Sequence, residues 1–331
     1  MATLTKPLEA IYEPIQSDLI RVEETLLSEL RGVEGFLGEM TRYVSEMLGK
    51  RLRPALAIFG AKAAALDSSA PVDRRVILMA AAVELIHTAT LVHDDVIDDA
   101  TLRRGKTTVN ARWGNTFSVL AGDYLYSQAF CLLSGIGSAD VLRLMSQTSQ
   151  RVCMGEVTQV RHQFDAEMDE ATYLTIIREK TASLMAAACQ GGAQLAGASV
   201  ATAKTLAAFG QAFGTAFQIV DDTQDVVGAE DRMGKSLGTD LAHGQITLPL
   251  IVLREAVDRA ARPRVIELLQ HHENGTSAQT LKAMALSQDV ASTCFAKAQM
   301  LIEEAKAALE TLPPSAARQG LAELTDYIVI P

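Results

Sequence analysis

Glu84-Leu85-Ile86-His87-Thr88-Ala89-Thr90-Leu91-Val92-His93-Asp94-Asp95-Val96-Ile97-Asp98 runs an apolar stretch of helical period straight into three carboxylates. The same construction returns where Ala207 to Val220, also apolar with helical period, leads into Asp221-Asp222-Thr223-Gln224-Asp225. Both clusters read Asp-Asp-x-x-Asp. A helix advances about 100° per residue, so Asp94 shares a face with Asp98, and Asp221 with Asp225. Stacked like charges cost helix stability. One acidic run is ordinarily a solvated helix face, but two identical ones at the ends of apolar helices point to a shared cation. Oxygen ligands without His or Cys suit Mg²⁺, which bridges a few carboxylates to substrate phosphate.

Outward from these stretches, helical periodicity recurs almost throughout and strand alternation does not. The pattern predicts helices over 8–31, 34–48, 53–66, 72–99, 115–134, 138–163, 170–198, 202–226, 246–258, 262–271, 277–310 and 315–328. Of 331 residues, 48% are hydrophobic and only 5% aromatic, and Ala is abundant, which favours close-packed helices over a sheet. The expected class is all-α. No Gly, Ser or Pro-rich linker and no solenoid repeat divides the chain, so 1–331 reads as a single domain. Two segments are expected to be loops: 49–54, where Pro54 suits the first turn of the next helix, and 231–245, with Gly234, Gly238 and Gly244.

A net charge of −10 argues against a general nucleic-acid binder. The four cysteines are scattered without a Cys-x-x-Cys pair, which suits buried thiols in a reducing compartment. Residues 1–19 lack a signal-peptide core, and no run of about 18 uninterrupted apolar residues occurs, the Ala-rich 182–203 coming closest. The expectation is a cytoplasmic protein with no transmembrane segment.

The basic residues that matter are local. Arg103-Arg104-Gly105-Lys106 follows the first aspartate cluster, and Lys50, Arg51, Arg53, Lys180 and Lys235 join it. Singly each would be an ordinary surface charge. Together, close to carboxylates and partly on glycine-containing loops, they describe a metal-bridged diphosphate site with a second anion pocket. His87 lies seven residues before Asp94, two turns back on nearly the same face. A lone helical His is usually structural, but here donation to a phosphate oxygen fits. His93 reads as structural.

At this point the chain resembles the trans-isoprenyl diphosphate synthases, or polyprenyl synthetases, over about residues 10–328. The likeness rests on Gly-Lys-Arg-Leu-Arg-Pro at 49–54, Glu-Leu-Ile-His at 84–87, His-Asp-Asp-Val-Ile-Asp-Asp at 93–99 and Arg-Arg-Gly at 103–105. It continues through Gly-Glu at 155–156, Lys-Thr-Ala at 180–182, Phe-Gln-Ile-Val-Asp-Asp at 217–222, Gly-Lys-Ser-Leu-Gly-Thr-Asp at 234–240 and Thr-Leu-Pro-Leu at 247–250.

The resemblance implies an isoprenoid-synthase-type helical bundle around a deep central cavity, with the aspartate motifs facing each other at its mouth. It implies a prenyltransferase adding isopentenyl diphosphate head-to-tail to an allylic diphosphate, farnesyl or geranylgeranyl. Asp94, Asp98 and Asp221 would bind Mg²⁺ directly, with Asp95, Asp222 and Asp225 supporting. Arg103, Lys180 and Lys235 would hold the allylic diphosphate, with Gln218 and Thr181 along the allylic carbon. Lys50, Arg53, His87 and Arg104 would hold isopentenyl diphosphate. A homodimer is the usual family assembly, and an Ala-containing helix such as 116–134 could pack against its copy. The chain departs from many members in having Gln245 after Gly244 where a Lys is common, and in lacking a basic C-terminal tail.

Product length rests on Ala89 and Thr90, five and four residues before the first motif, where short-chain members often place bulky aromatics. Small residues there imply a cavity that continues past them and a hexaprenyl to decaprenyl product of the kind used as a quinone side chain and handed to a membrane. Phe130 and Leu133 are candidate floors. The alternatives are a geranylgeranyl product, should a neighbouring helix fill the space, a terpene cyclase, or a non-catalytic partner subunit. A cyclase typically lacks the second motif, and such subunits usually lose one.

Overall fold

In the computed structural model, which describes residues 6–65, 67–227, 243–270 and 276–329, the helix Arg74–Ile97 is buried on nearly every side. Its residues explain why: Val76, Met79, Ala80, Val83, Leu85, Ile86 and Ala89 cover its whole circumference rather than one stripe. The Asp73 side chain starts it by accepting from the Arg75 amide at 2.7 Å. The helices Gln16–Arg31, Leu52–Ala64 and Asn115–Gly135 pack around it. Arg74–Ile97 is long and apolar enough to cross a membrane, with mean hydropathy 1.7 in its best window, yet 72% of that window is buried within the protein. The stretch that comes closest to a membrane span is therefore this core helix and not 182–203.

That Ala-rich stretch does different work. A Cβ on Gly192 would lie 2.0 Å from the Ala57 carbonyl oxygen, and one on Gly60 would lie 2.5 Å from that of Cys189. The helices Leu52–Ala64 and Ser183–Leu195 thus touch backbone to backbone, which only glycine permits. Nearby, Lys62 and Asp18 form a buried pair at 3.1 Å. Asp18 also accepts from Arg21 at 2.9 Å, and Lys62 donates to the Ala70 carbonyl at 2.8 Å, so neither charge depends on the other alone.

The chain divides into two compact units. One comprises Met1–Ser149, Leu184–Gly210 and Ala308–Leu324; the other comprises Gln150–Ser183, Gln211–Ala307 and Thr325–Pro331. About 79% of the described residues are helical, in agreement with the all-α expectation.

The structure differs from the sequence reading at several places. Residues 8–31 are interrupted by a 3₁₀ turn, Glu13–Ile15, at Pro14, which lacks the N–H an α-helix needs. The span 277–310 is two helices, Thr276–Ser287 and Val290–Glu310, because Asp289 adopts a left-handed conformation with φ 51°. A short helix, Val109–Trp113, is capped by Thr108. A two-stranded hairpin, Leu102–Arg103 with Lys106–Thr107, appears where no strand was expected.

Candidate active site

The first aspartate motif closes the helix Arg74–Ile97, with Asp98 as its C-cap. Carboxylates at a helix C-terminus meet the negative end of the helix dipole, so the placement is unfavourable until a cation arrives. Asp94 and Asp98 are partly exposed, whereas Asp95 is buried and accepts from Arg103 Nε at 2.7 Å. Burial pushes Asp95 above the usual carboxylate range, and Arg103 pulls it back.

Arg103 ends the first strand of the hairpin. The two-residue loop Arg104-Gly105 has φ 51° and 74°, the double left-handed geometry that matches hairpin twist and favours glycine at the second position. The Arg104 guanidinium donates to the Met47 carbonyl at 2.8 Å. A Cβ on Gly49 would lie 2.6 Å from its Nη atoms, so the glycine leaves room for this arginine. Arg103, Arg104, Gly49, Glu84, His87 and Asp95 line one cavity in the first unit.

Its electrostatics are cationic. Burial, then Arg53, Arg104 and Arg103, hold His87 well below the ordinary histidine value, so the ring is neutral near pH 7. Burial pushes Arg53 down to about 10, and its Nε is a buried donor with no hydrogen-bond partner. Glu84 is raised by burial and opposed by Arg53, Arg51 and Arg104. Arg51 is a clamp on the loop: it meets Glu23 through Nε at 2.6 Å and Nη2 at 2.8 Å, and donates to the Gly49 carbonyl at 2.6 Å. Lys50 is exposed on the same loop, its carbonyl accepting from Tyr12 at 3.2 Å.

The second motif lies in the last two described turns of helix Val200–Val227. Asp221 is exposed and Asp225 partly so; Asp222 is buried. Asp222 Oδ2 accepts from the Tyr173 hydroxyl at 2.6 Å and Oδ1 from Gln218 Nε2 at 2.7 Å, while Gln218 Oε1 accepts from Thr181 at 2.9 Å. Burial pushes Asp222 up to about 7 against those two hydrogen bonds, and Asp221 and Asp225 add to the rise. Tyr173, Lys180, Thr181, Gln218, Asp221 and Asp222 share a pocket in the second unit with Gln159, His162 and Gln245.

Lys180 sits in a π-helical turn, Arg178–Ala182, between Glu170–Ile177 and Ser183–Leu195. Such single π turns are frequent at functional sites. Its ammonium pairs with Glu156. Gln245 follows Gly244, whose φ of 72° and contact with the Phe164 ring leave no room for a side chain.

The structure thus groups Asp95, His87, Arg103 and Arg104 in one cavity, and Lys180, Thr181, Gln218, Asp221 and Asp222 in the other. Lys235 lies outside the described residues. Thr90 is half-buried, with its hydroxyl on the His87 carbonyl at 2.8 Å, and Ala89 is fully buried. Phe130 stacks on Tyr126, and Leu133 is fully buried. His93 packs over Gly122, where a Cβ would fall 2.2 Å from its Nε2. The sequence reading gives no role to Tyr173 or Gln159, leaves His162 without a constellation, and has Glu84 only within Glu-Leu-Ile-His. Tyr173 carried one signal, its spacing of two helical turns before Lys180.

The donor set suits a hard divalent cation: oxygen ligands only, clustered on two helices. Among the described residues, no three His, Cys, Asp or Glu side chains are arranged to hold a metal alone, so substrate oxygens and water would complete the shell.

A family model for polyprenyl synthetases matches residues 34–286. The chain is 36% identical over 321 residues to "Heptaprenyl diphosphate synthase component 2" of Geobacillus stearothermophilus, covering 97% of this chain and 98% of that one. Among solved structures it is similar to a decaprenyl diphosphate synthase from Rhodobacter capsulatus, with TM-score 0.89, 31% identity and 98% of each chain covered. It is equally similar to a polyprenyl synthase from Caulobacter crescentus complexed with calcium and isoprenyl diphosphate, with TM-score 0.89, 31% identity, and 99% and 98% of the two chains covered. The fold is the all-α isoprenoid synthase fold. The chain belongs to the polyprenyl synthetase family, and its class of enzyme is the prenyltransferases.

Proposed function

We propose that this chain joins isopentenyl diphosphate head-to-tail to an allylic diphosphate and releases a long-chain all-trans polyprenyl diphosphate. The observation that carries the reading is that each aspartate motif shares a cavity with basic side chains: Asp95 with Arg103 and Arg104, beside His87, and Asp221 and Asp222 with Lys180. A diphosphate needs such cations, and an ionising one needs them most.

Asp94, Asp98 and Asp221 would hold Mg²⁺, with Asp95, Asp222 and Asp225 in support. Bound there, Mg²⁺ would neutralise charge growing on the departing diphosphate. By the family resemblance, Lys180, Lys235 and Arg103 would hold the allylic diphosphate through C–O cleavage. Gln218 and Thr181, hydrogen-bonded to each other at 2.9 Å, would lie along the allylic carbon, where polar oxygens ease positive charge. Lys50, Arg53, Arg104 and neutral His87 hold isopentenyl diphosphate; the unpartnered Arg53 Nε supports an anion there. The isopentenyl double bond attacks, and the released diphosphate accepts the proton lost. Apolar, small-residue helix faces would form the dry cavity that keeps water from the cation.

We read residues 1–331 as a single polyprenyl synthase domain in a cytoplasmic homodimer. Phe117, Val119 and Leu120 of helix Asn115–Gly135 are 42%, 41% and 54% exposed, apolar surface that a second copy could cover. Light scattering should give twice the chain mass at micromolar concentration; a monomer would contradict the dimer. The chemistry is tested by labelled isopentenyl incorporation with farnesyl diphosphate as primer. Incorporation should vanish with EDTA, return with Mg²⁺, and fall by several orders of magnitude in Asp94→Ala and Asp221→Ala. Metal-independent incorporation, or near-normal turnover in either variant, would contradict the site.

A further inference from the structure

We infer that Tyr173 is a positioning residue for the second aspartate motif, acting through Asp222 to set the Mg²⁺-diphosphate face. The inference rests on the proposed function and adds a residue to it.

The last turns of helix Val200–Val227 carry a structural problem. Asp221, Asp222 and Asp225 are like charges close together on one helix and repel one another. Asp222 lies about 100° around the helix from Asp221, so fixing one carboxylate fixes the direction in which the other points. Tyr173 supplies that fixation from a separate element. Its helix, Glu170–Ile177, begins at Asp169, whose side chain caps the Thr172 amide at 2.8 Å. Tyr173 is 2% exposed, so its hydroxyl needs a partner within the protein, and Asp222 Oδ2 at 2.6 Å is that partner.

The bond belongs to a relay rather than standing alone. Thr181 donates to Gln218, Gln218 to Asp222, and Tyr173 to the other oxygen of the same carboxylate. Thr181 lies in the π turn that carries Lys180, and Tyr173 in the helix that leads into it. One network therefore ties the diphosphate-holding lysine's turn to the metal-facing motif. Each oxygen of an ionised carboxylate has two acceptor sites, so both bonds leave acceptor capacity on Asp222. A buried tyrosine that merely pinned two helices together could use any carbonyl; this one uses the central carboxylate of the motif.

Tyr173→Phe removes the hydroxyl and keeps the buried ring. Three quantities should be measured on the purified full chain: Mg²⁺ half-saturation of isopentenyl incorporation, the KM of each substrate, and calorimetric affinity for farnesyl S-thiolodiphosphate, which does not ionise, with and without Mg²⁺. The Mg²⁺ requirement and the allylic KM should each rise roughly tenfold or more, the range for losing a hydrogen bond to a charged group. The Mg²⁺-dependent gain in analogue affinity should shrink correspondingly, and the isopentenyl KM should stay within twofold. In an Asp222→Asn background the Tyr173→Phe change should add less than threefold, because the two act as one unit. Unchanged Mg²⁺ dependence with a lowered melting temperature would overturn the inference in favour of simple packing, as would full additivity with Asp222→Asn. Wild-type protein that incorporates isopentenyl units without metal would overturn the proposed function itself, which separates the two failures.

Discussion

Gly155 and Lys180 touch: a Cβ on Gly155 would fall 2.6 Å from the Lys180 backbone nitrogen. The helix Ala139–Arg161 thereby lies directly against the π turn, and Glu156, one residue on, reaches the lysine ammonium. The Gly-Glu pair thus supplies a gap and a counter-charge for one cation. Gly155→Ala must push the turn away, because the clash is with backbone. A displacement near 1 Å at a group holding the leaving diphosphate costs about 10²-fold in rate. Steady-state kinetics should show kcat falling by that order while circular dichroism retains the helical signal. A kcat within twofold of wild type would show that the close approach does not position Lys180.

His87 is held neutral by burial and by Arg53, Arg104 and Arg103. Its folded pKa is depressed, so above the unfolded value near 6.5 it costs nothing. As pH falls below that, the unfolded chain takes up a proton the fold refuses, and stability drops by up to about 1.4 kcal/mol per pH unit until the folded value is passed. Melting temperatures from pH 8 to pH 5 should fall less steeply in His87→Asn than in wild type; parallel curves would contradict the assignment. His87→Ala and Arg53→Ala should also raise the isopentenyl KM about tenfold or more, with Lys180→Ala acting on the allylic substrate or on kcat.

The fold and much of the site were legible because the same residues set both. The apolar run from Glu84 to Val92 had to be a buried helix, and the carboxylates ending it had to share faces. Breaks were less legible. Asp289 looks like any helix residue until its left-handed φ is seen, and nothing in Arg178–Ala182 announces a π turn. The hairpin at Arg104-Gly105 is too short to show alternation. Tyr173 escaped notice because its partner, Asp222, lies 49 positions away, and periodicity reports only neighbours on one helix.

Ala89 is fully buried and Thr90 half-buried on the helix that ends in the first motif. Ala89→Phe adds a ring where a methyl now fits, and overpacking of this kind costs typically about 1–3 kcal/mol. The product should shorten by one or more isoprene units and the melting temperature should drop. An unchanged product distribution in the folded variant would remove this position from length control.

The most direct measurement is chromatography of the dephosphorylated products formed by the purified chain with Mg²⁺, isopentenyl diphosphate and farnesyl diphosphate. The account predicts a polyprenol of six to ten isoprene units, released as its diphosphate. A hydrocarbon, no elongation, or a product that stops at four units or fewer would contradict it.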